Sequence, residues 1–396
     1  MLERVKFVEL VARGEQSVPE LCELFGVSRA EGYRILKRFR EEGYTGLVER
    51  SRRPHSSPTA TPPEVVERIL ELKRKRSGWG PKKIVERLKR LEPSRAWPSP
   101  STAHRILKRH GLVAPSRRQR RHRYPGTGGP FEPAFEPNDV WTTDFKGQFR
   151  LGNGRLCYPL TLADLVSRYA LKCEALTGTT EQEAWKHYER AFGEYGLPRR
   201  IRSDNGVPFA SRGICGLSRL SAWWLKLGIE LERIEPGKPQ QNGEHERAHR
   251  TLKAEATRPA ERNHRAQQRR FDSFRAVYNT ERPHESLGMA VPADLYRTSS
   301  RTVPKRGEWP GLDYPADWAR RQIRSDGCMK WRGQRVFVSE VLAREPVALH
   351  QTSEEIWAIH FGGLLLGWVG AAARLIPSSP PKKRKKSRKR KVSRMS

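Results

Sequence analysis

The sequence predicts a multidomain α+β protein in which helical units precede a mixed sheet and a small all-β unit. Apolar residues recur at helical spacing in the first third of the chain, strand-like and helical runs alternate in the middle, and short alternating runs follow. A length of 396 residues is enough for several such domains. In chain order the predicted segments are 1–50 and 63–113 (helix-turn-helix), 114–137 (basic linker), 138–298 (α/β core with a helical extension), 317–371 (small β-barrel) and 372–396 (basic disordered tail).

The formal net charge of +33 is concentrated at the two ends of the chain. Residues 1–125 contain 30 Lys and Arg against 14 Asp and Glu, and residues 372–396 contain 11 against none, which leaves +6 for the middle. Basic segments of this density attract polyanions. We therefore expect both ends to bind double-stranded DNA.

The five cysteines are scattered, odd in number and include no CxxC pair. This pattern favours reduced thiols in the cytoplasm and argues against a zinc site. No apolar run reaches the roughly 18 residues of a membrane span, and the first residues lack the apolar region of a signal peptide. We expect a cytoplasmic, nucleoid-associated protein with no membrane partner.

Two helix starts are predicted near the front of the chain. Ser17 with Glu20, and Ser28 with Glu31, have the spacing of a capping box. Gly26 lies in the turn between the two helices. The arrangement indicates a helix-turn-helix unit.

The second of these helices has an apolar face and a basic face. Ile35 and Leu36 lie on the apolar face, which we expect to be buried together with Phe39. A recognition helix presents donors to the major groove on its other side. The predicted donors are Arg34, Lys37 and Arg38. An ordinary solvated helix is the alternative interpretation.

A second unit of this kind is predicted over 63–113. Pro81 and Pro100 stand where the first turns of two helices begin, and the second helix offers Arg105 and Lys108 to DNA. The alternative is a purely structural helical subdomain, because helix-turn-helix folds also serve as scaffolds.

The middle of the chain is predicted to contain three strands, a helix, a strand, a helix, a strand and a long helix. This order, β-β-β-α-β-α-β-α, matches the ribonuclease H-like fold. In that arrangement the first and fourth strands are neighbours, which would bring Asp144 and Asp204 close together. The long helix, from about Asn242 to Ala256 with Asn242 as N-cap, would carry Glu246 to them.

Glu246 is predicted to share a helix face with three other residues. His249, Arg250 and Lys253 follow it at i+3, i+4 and i+7. Such a face would hold metal and bind DNA phosphates together. Glu244 is a rival for the third acidic position, but it lies roughly 200° around the helix from Glu246.

The three acidic residues Asp144, Asp204 and Glu246 would form a carboxylate cage for divalent cations. Carboxylates are the hard oxygen ligands that Mg²⁺ prefers, and phosphodiester displacement commonly uses two such ions. We expect two Mg²⁺ ions, with Mn²⁺ as an alternative. Asp164 is another rival ligand, although it lies in a turn-like stretch where an aspartate commonly supports the backbone.

Several runs of the sequence resemble the DDE insertion-sequence transposases related to retroviral integrases, and most closely the insertion-sequence family numbered 481. The resemblance extends from the first helix-turn-helix to about residue 370. The runs that carry it are GWGPKKI, LTLADLVSRY, SDNGVPF, LSRLSAWWLKLGIELERI, PGKPQQNGEHERAHRTLK and YNTERPHESLG.

The resemblance implies that Asp144, Asp204 and Glu246 are catalytic metal ligands and that Lys253 contacts the transposon end. It implies a polynucleotidyl transferase with DNA endonuclease activity, which cleaves 3′ ends of a mobile element and transfers them into target DNA as a homo-oligomer. Two departures stand out: 41 residues separate Asp204 from Glu246, more than is common in the superfamily, and the zinc-binding domain of retroviral integrases is absent.

Residues outside the predicted site leave other roles open. Arg282 and His284 would either reach DNA or close a helix end. The resemblance implies that the unit at 317–371 binds DNA or a second protomer, and a structural cap is the alternative. The linker at 114–137 is expected to track phosphates, and the tail at 372–396 to attract DNA without specificity.

Two other functions compete with transposition. One is a non-catalytic DNA-binding regulator derived from a transposase, which three intact carboxylates argue against. The other is a ribonuclease H-type nuclease, which would not need two helix-turn-helix units to find a duplex end.

Overall fold

The computed structural model describes residues 2–49, 60–113, 131–145, 147–235, 238–305 and 307–378. The chain divides into two compact units, residues 1–62 and 63–396. Most of the predicted basic linker and all of the predicted tail beyond residue 378 lie outside the described residues. Within the described part, no helix has the length and apolar character needed to cross a membrane. The five cysteines are free thiols.

The first unit is a cluster of three helices. They are α1 (Leu2–Arg13), α2 (Val18–Leu24) and α3 (Arg29–Glu42). The Ser17 amide donates to the Glu20 carboxylate over 2.8 Å, and Ser28 Oγ accepts from the Glu31 amide over 3.2 Å, so both predicted helix starts are present. The helices share a core of Phe7, Val8, Leu21, Cys22, Ile35, Leu36 and Leu47.

The second unit begins with another cluster of three helices, α4 (Pro63–Lys75), α5 (Pro81–Leu91) and α6 (Pro100–Arg109). Ile69, Ile84 and Leu107 are part of the core between them. The predicted starts at Pro81 and Pro100 are confirmed, and Ser99 caps α6 by accepting from the Thr102 amide.

A mixed sheet forms the centre of the second unit. Its strands are β1 (Val140–Phe145), β2 (Phe149–Arg150), β3 (Leu156–Asp164), β4 (Ala170–Leu176), β5 (Arg200–Ser203) and β6 (Glu230–Arg233). β1 is antiparallel to β3 and parallel to β5, β5 is parallel to β6, and β2 and β4 both pair with β3. The predicted adjacency of the strands bearing the two aspartates is therefore confirmed, as in a ribonuclease H-like core.

Helices cover both faces of the sheet. They are α7 (Glu181–Tyr195), α8 (Arg219–Lys226), α9 (Gly243–Ala256), α10 (His264–Thr280) and the short α11 (Pro292–Leu295). On one face α7 and α8 pack through Tyr188 and Trp224 against Trp141. On the other, α9 and α10 pack through Leu252 and Phe271. Asn242 stands at the predicted N-cap of α9, but its side chain makes no capping hydrogen bond.

The α4–α6 cluster packs against the helical extension of the core. Arg76 donates to Glu281 over 2.8 Å, and Arg90 donates to Asp294 over 2.7 Å. Val277 of α10 packs against the core of the cluster. These contacts fix α5 beside α10.

The last part of the second unit is all β. Its strands are β7 (Ala319–Gln322), β8 (Cys328–Trp331), β9 (Gln334–Phe337), β10 (Pro346–Ser353), β11 (Ile356–Phe361), β12 (Leu364–Val369) and β13 (Leu375–Pro377). Five of them form an antiparallel sheet in the order β13-β12-β11-β10-β7, and β8 pairs with β9. Over the residues described, this pairing leaves β7 and β13 as edges, so strand pairing does not close the predicted barrel. The sheet and the hairpin instead share a core with α8.

Candidate active site

Asp144 and Asp204 lie at the same level on neighbouring parallel strands. The register pairs Val140 with Arg200 and Thr142 with Arg202. Continued by two residues, it brings Asp144 level with Asp204, just beyond the end of β5. Adjacent strands are about 4.8 Å apart, and residues separated by an even number of positions along a strand point to the same face. Asp144 therefore projects from the face covered by α9, and Asp204 stands level with it in the turn that follows β5.

The phenol of Tyr188, on α7, is buried against β1. Its hydroxyl lies 2.6 Å from Thr143 Oγ1. Burial raises the pKa of Tyr188 well above its ordinary value, the hydrogen bond with Thr143 lowers it, and the charges of Asp144 and Asp204 raise it.

The turn after β5 holds the Asp204 side chain in place. One of its carboxylate oxygens accepts from the Gly206 amide over 3.0 Å. A Cβ at Gly206 would lie 2.9 Å from the other oxygen, so glycine lets the carboxylate keep this position. This close approach accounts for the glycine of the SDNG run.

The hydroxyl of Thr161, on β3, connects the sheet with α9. It donates to the Asp144 carbonyl over 3.0 Å and lies 2.7 Å from His245 Nε2 and 2.6 Å from His249 Nε2. A hydroxyl has one proton and two lone pairs. Because its proton is given to the carbonyl, both imidazoles must donate to Thr161 through Nε2–H.

The other nitrogen of each imidazole faces β1. His245 Nδ1 lies 2.8 Å from Thr142 Oγ1. His249 Nδ1 lies 3.6 Å from the Asp144 carboxylate, too far for a hydrogen bond but close enough for an ion pair when the imidazole is protonated. α9 is thereby fixed next to Asp144.

Glu246 lies on an exposed flank of α9. His249, predicted to share that flank, is instead buried against the sheet, whereas Arg250 and Lys253 are exposed beside Glu246. Glu246 makes no hydrogen bond or ion pair with any residue that the structure describes. Within the same described ranges, no three His, Cys, Asp or Glu side chains are arranged to hold a metal ion. Two of the three predicted ligands are thus brought together, and Glu246 stands apart from them.

The two rival carboxylates have other partners. Glu244 faces the opposite flank of α9, where its carboxylate is 3.4 Å from Arg168 and 3.2 Å from Arg247. Asp164 is buried and accepts from the Asn138 amide and from the amide and hydroxyl of Ser167. Burial raises its pKa, while these hydrogen bonds lower it. Asp164 supports the turn between β3 and β4, as expected for a turn aspartate.

The predicted DNA contacts differ in their surroundings. Arg34 and Lys37 are exposed on α3, where Arg34 lies 2.9 Å from Glu31 and Lys37 lies 3.9 Å from Glu41. Arg38 is half-buried and donates to the Val48 carbonyl over 2.7 Å, so it braces the end of α3. The remaining predicted donors, Arg105, Lys108, Arg250 and Lys253, are all exposed.

Sequence reasoning assigned no site role to Thr161, His245 or Tyr188. The available signal was the spacing of His245 and His249, four residues apart on the side of α9 that also carries Leu252. A polar pair on a buried helix face requires polar partners, here the threonines of β1 and β3.

Four segments of the chain match known protein families. The matches are an integrase core domain at 134–239 and again at 227–292, a homeodomain-like domain at 32–107 and a helix-turn-helix domain at 3–55. The chain is 33% identical over 182 residues to the "Insertion element IS476 uncharacterized 39.2 kDa protein" of Xanthomonas euvesicatoria, covering 44% of this chain and 50% of the relative. It is 29% identical over 160 residues to the "Insertion element IS407 uncharacterized 31.7 kDa protein" of Burkholderia multivorans, covering 40% and 55%.

The chain therefore spans about half the length of these curated relatives. Among solved structures it is similar to the HTLV-2 integrase catalytic core domain in complex with magnesium, at 14% identity and a TM-score of 0.34, covering 42% of this chain and 100% of that one. The integrase-core matches and the insertion-element relatives support an insertion-sequence transposase of the DDE type, with helix-turn-helix DNA-binding domains ahead of an integrase core.

Proposed function

We propose that this chain is a transposase that binds the ends of a mobile DNA element, cleaves their 3′ ends and transfers them into target DNA. The observation that carries the proposal is the level placement of Asp144 and Asp204 on adjacent parallel strands, inside a segment that matches an integrase core. We assign it to the insertion-sequence family numbered 481, with the domain boundaries predicted above.

The residues proposed to hold metal are Asp144, Asp204 and Glu246. The donor set fits a hard divalent cation, because all three offer carboxylate oxygens and the first two are adjacent. Bound there, two Mg²⁺ ions, or Mn²⁺, would activate the attacking oxygen and stabilise the leaving oxygen. Glu246 has no partner among the described residues and is therefore available as the third ligand.

The chain's own groups position the DNA. Arg250 and Lys253 follow Glu246 on the exposed flank of α9, where they would bind phosphates of the transposon end beside the carboxylates. The exposed donors of α3 and α6 would also contact the duplex. Joining two ends calls for at least two protomers, so we propose a homo-oligomer on DNA, acting at the nucleoid.

The test uses the full chain and a duplex that carries the terminal inverted repeat flanking its reading frame. We expect Mg²⁺-dependent nicking and joining by the native protein, and loss of both in Asp144→Asn, Asp204→Asn and Glu246→Gln. Binding to the duplex should persist, because these changes remove only carboxylate charge. Asp272→Asn, which changes an exposed carboxylate on the neighbouring helix α10, is the matched control and should stay active. Full joining by one of the three variants would exclude that residue as a ligand.

A non-catalytic DNA-binding regulator is the second candidate. One observation favours it: Glu246 does not join the two aspartates in a group of three ligands within the described residues. The same assay separates the two functions, because a regulator would bind the duplex without cutting or joining it under any divalent cation.

A further inference from the structure

A cavity of about 180 Å³ lies where α5, α9, α10 and the turn after β3 meet. It is on the flank of α9 opposite to Glu246, since Glu244, Ala248 and Thr251 line it. Its charged lining is mainly basic, with Lys83, Arg168, Arg247 and Arg282 against Glu244 and Glu285. Neither the integrase-core chemistry nor the helix-turn-helix units account for it.

Two basic side chains of this cavity, Arg168 and Lys83, lack hydrogen-bond acceptors, and His284 has one unpaired ring nitrogen. Arg168 Nε and Nη1 are buried without a hydrogen-bond partner, and so is His284 Nε2. Lys83 makes no ion pair or hydrogen bond with any residue that the structure describes. Buried donors are rarely left unpaired in folded proteins, because each one loses its water without gaining a partner. Such a set is explained if an acceptor binds between them.

Two carboxylates near the cavity are already engaged, and a third, Glu285, lies 4.0 Å from the exposed Lys82. Glu244 bonds Arg247 over 3.2 Å and approaches Arg168 only as a 3.4 Å ion pair without hydrogen-bond geometry. Arg282 is buried and bonded to Glu255. The cavity therefore keeps an excess of positive charge that its own acidic residues do not neutralise.

The backbone at Arg168 adds to this picture. Its φ of +64° lies in the left-handed region, which is costly for a residue with a long side chain. The Arg168 guanidinium is part of the cavity lining and lies beside Glu244. Arg168 thus combines a strained backbone with two nitrogens that have no hydrogen-bond acceptor.

We propose that this cavity binds a phosphate group, held by Lys83 and Arg168. Arginine and lysine form short charge-assisted hydrogen bonds with phosphate oxygens. The group is either a backbone phosphodiester of DNA or free phosphate. The DNA source rests on the proposed function, whereas the phosphate site itself does not.

The electrostatics of the cavity agree with this assignment. Burial lowers the pKa of His284 to about 3, assisted by the charges of Arg282, Lys83 and Arg168. Burial, and then Arg282, also lowers the pKa of Lys83. Both groups are thus surrounded by positive charge that a bound dianion or phosphodiester would offset.

Occupation of the cavity would connect two parts of the fold. Lys83 belongs to α5, in the predicted second DNA-binding unit, whereas Glu244 and Arg247 belong to α9, which carries Glu246. A phosphate bound between them would tie α5 to the helix of the third carboxylate. We expect α9 to be more rigid when the cavity is filled.

The test is competitive acetylation of lysines in the native full-length protein, read by peptide mass spectrometry. Phosphate at ten times its dissociation constant leaves about one tenth of the sites free, so acetylation of Lys83 should slow about tenfold. Lys89, exposed on the same helix, is the matched control and should be unaffected. Chloride at equal ionic strength should protect neither lysine. Arg168→Gln should abolish the protection of Lys83.

A second arm replaces phosphate with a duplex carrying the element end. Protection of Lys83 by the duplex identifies DNA as the source, whereas protection by phosphate alone identifies a free-phosphate site. The latter result would stand even if the protein joined no DNA. Unchanged acetylation of Lys83 in both arms, or equal protection of Lys89, would overturn the proposal.

Discussion

At the scale of single residues, the Thr161 hydroxyl holds α9 beside β1. It contacts His245, His249 and the carbonyl of Asp144 at once. Two imidazole N–H groups and a backbone carbonyl thus depend on one oxygen atom. The position of the helix that carries Glu246 thus depends on a side chain to which no catalytic role is assigned.

Thr161→Val keeps the shape of the side chain but leaves both imidazole N–H groups without an acceptor. We expect the free energy of unfolding to fall by about 1–3 kcal/mol, and joining activity to fall with it as α9 loosens. Thr161→Ser should restore both, because it returns the hydroxyl. Urea unfolding followed by tryptophan fluorescence and a joining assay measure the two effects. A valine variant as stable as the native protein would show that the network contributes nothing.

His284 makes stability depend on pH in a defined direction. Its pKa is lowered from 6.5 to about 3 in the folded protein, chiefly by burial. The unfolded chain therefore binds a proton here as the pH falls through 6.5, and the folded chain does so only near pH 3. Since the unfolded state binds more protons in this window, the free energy of unfolding falls as the pH falls.

This contribution has a slope of up to about 1.4 kcal/mol per pH unit. Urea unfolding in phosphate-free buffer from about pH 7 down to about pH 4 should show it. His284→Asn cannot titrate, so the difference in stability between native and variant should shrink as the pH is lowered. Parallel curves for the two proteins would mean that His284 has an ordinary pKa.

At the scale of elements, α3 shows how similar arginines differ in role. Arg34 is exposed, whereas Arg38 is bonded to the Val48 carbonyl. Arg34→Ala should weaken binding to the element end and reduce the salt dependence of binding, as expected for a DNA contact. Arg38→Ala should instead lower the melting temperature of residues 1–62 and have a smaller effect on DNA binding. Fluorescence anisotropy over a salt series measures DNA binding, and calorimetry measures the melting temperature. If Arg34→Ala lowered the melting temperature and Arg38→Ala weakened DNA binding, Arg38 would be the DNA contact and Arg34 the structural residue.

The helix α9 shows what sequence can and cannot predict. Its position, its length and the opposite placement of Glu244 and Glu246 follow from helical periodicity alone. The burial of His249 does not follow from periodicity, because it depends on Thr161, a strand residue far away in the chain. Likewise, the buried side of α7 was predictable from spacing, but the effect of Asp144 and Asp204 on Tyr188 was not. Periodicity predicts which face of a helix is buried. Only the tertiary fold shows which residues contact that face.

At the scale of the whole molecule, the order of strands was predictable because few topologies fit alternating strands and helices. The cavity between Lys83, Arg168 and His284 was not, because these residues come from three distant segments. Nor was the open pairing of the C-terminal sheet, in which β8 pairs with β9 rather than with the larger sheet. Local sequence patterns do not predict which charged side chains from distant segments come together in the fold.

The contact between the α4–α6 cluster and α10 can be tested through the ion pair of Arg76 with Glu281. The two groups are 2.8 Å apart, and their side chains are only 21% and 29% exposed. Partial burial weakens solvent screening, so a double-mutant cycle to alanine should give a coupling of about 1 kcal/mol. Arg74 with Glu67 is the matched control: the distance is again 2.8 Å, but both groups lie on α4 and are 59% and 54% exposed.

We expect the control pair to couple by at most a few tenths of a kcal/mol, roughly the value of exposed ion pairs within one helix. Breaking the Arg76 pair should also speed amide hydrogen exchange at the C-terminal end of α4, because Arg76 joins that end to the core, whereas breaking the control pair should not. Urea unfolding gives the couplings, and exchange mass spectrometry gives the local effect. Equal couplings for the two pairs, with unchanged exchange at the end of α4, would mean that this ion pair does not hold the cluster against the core.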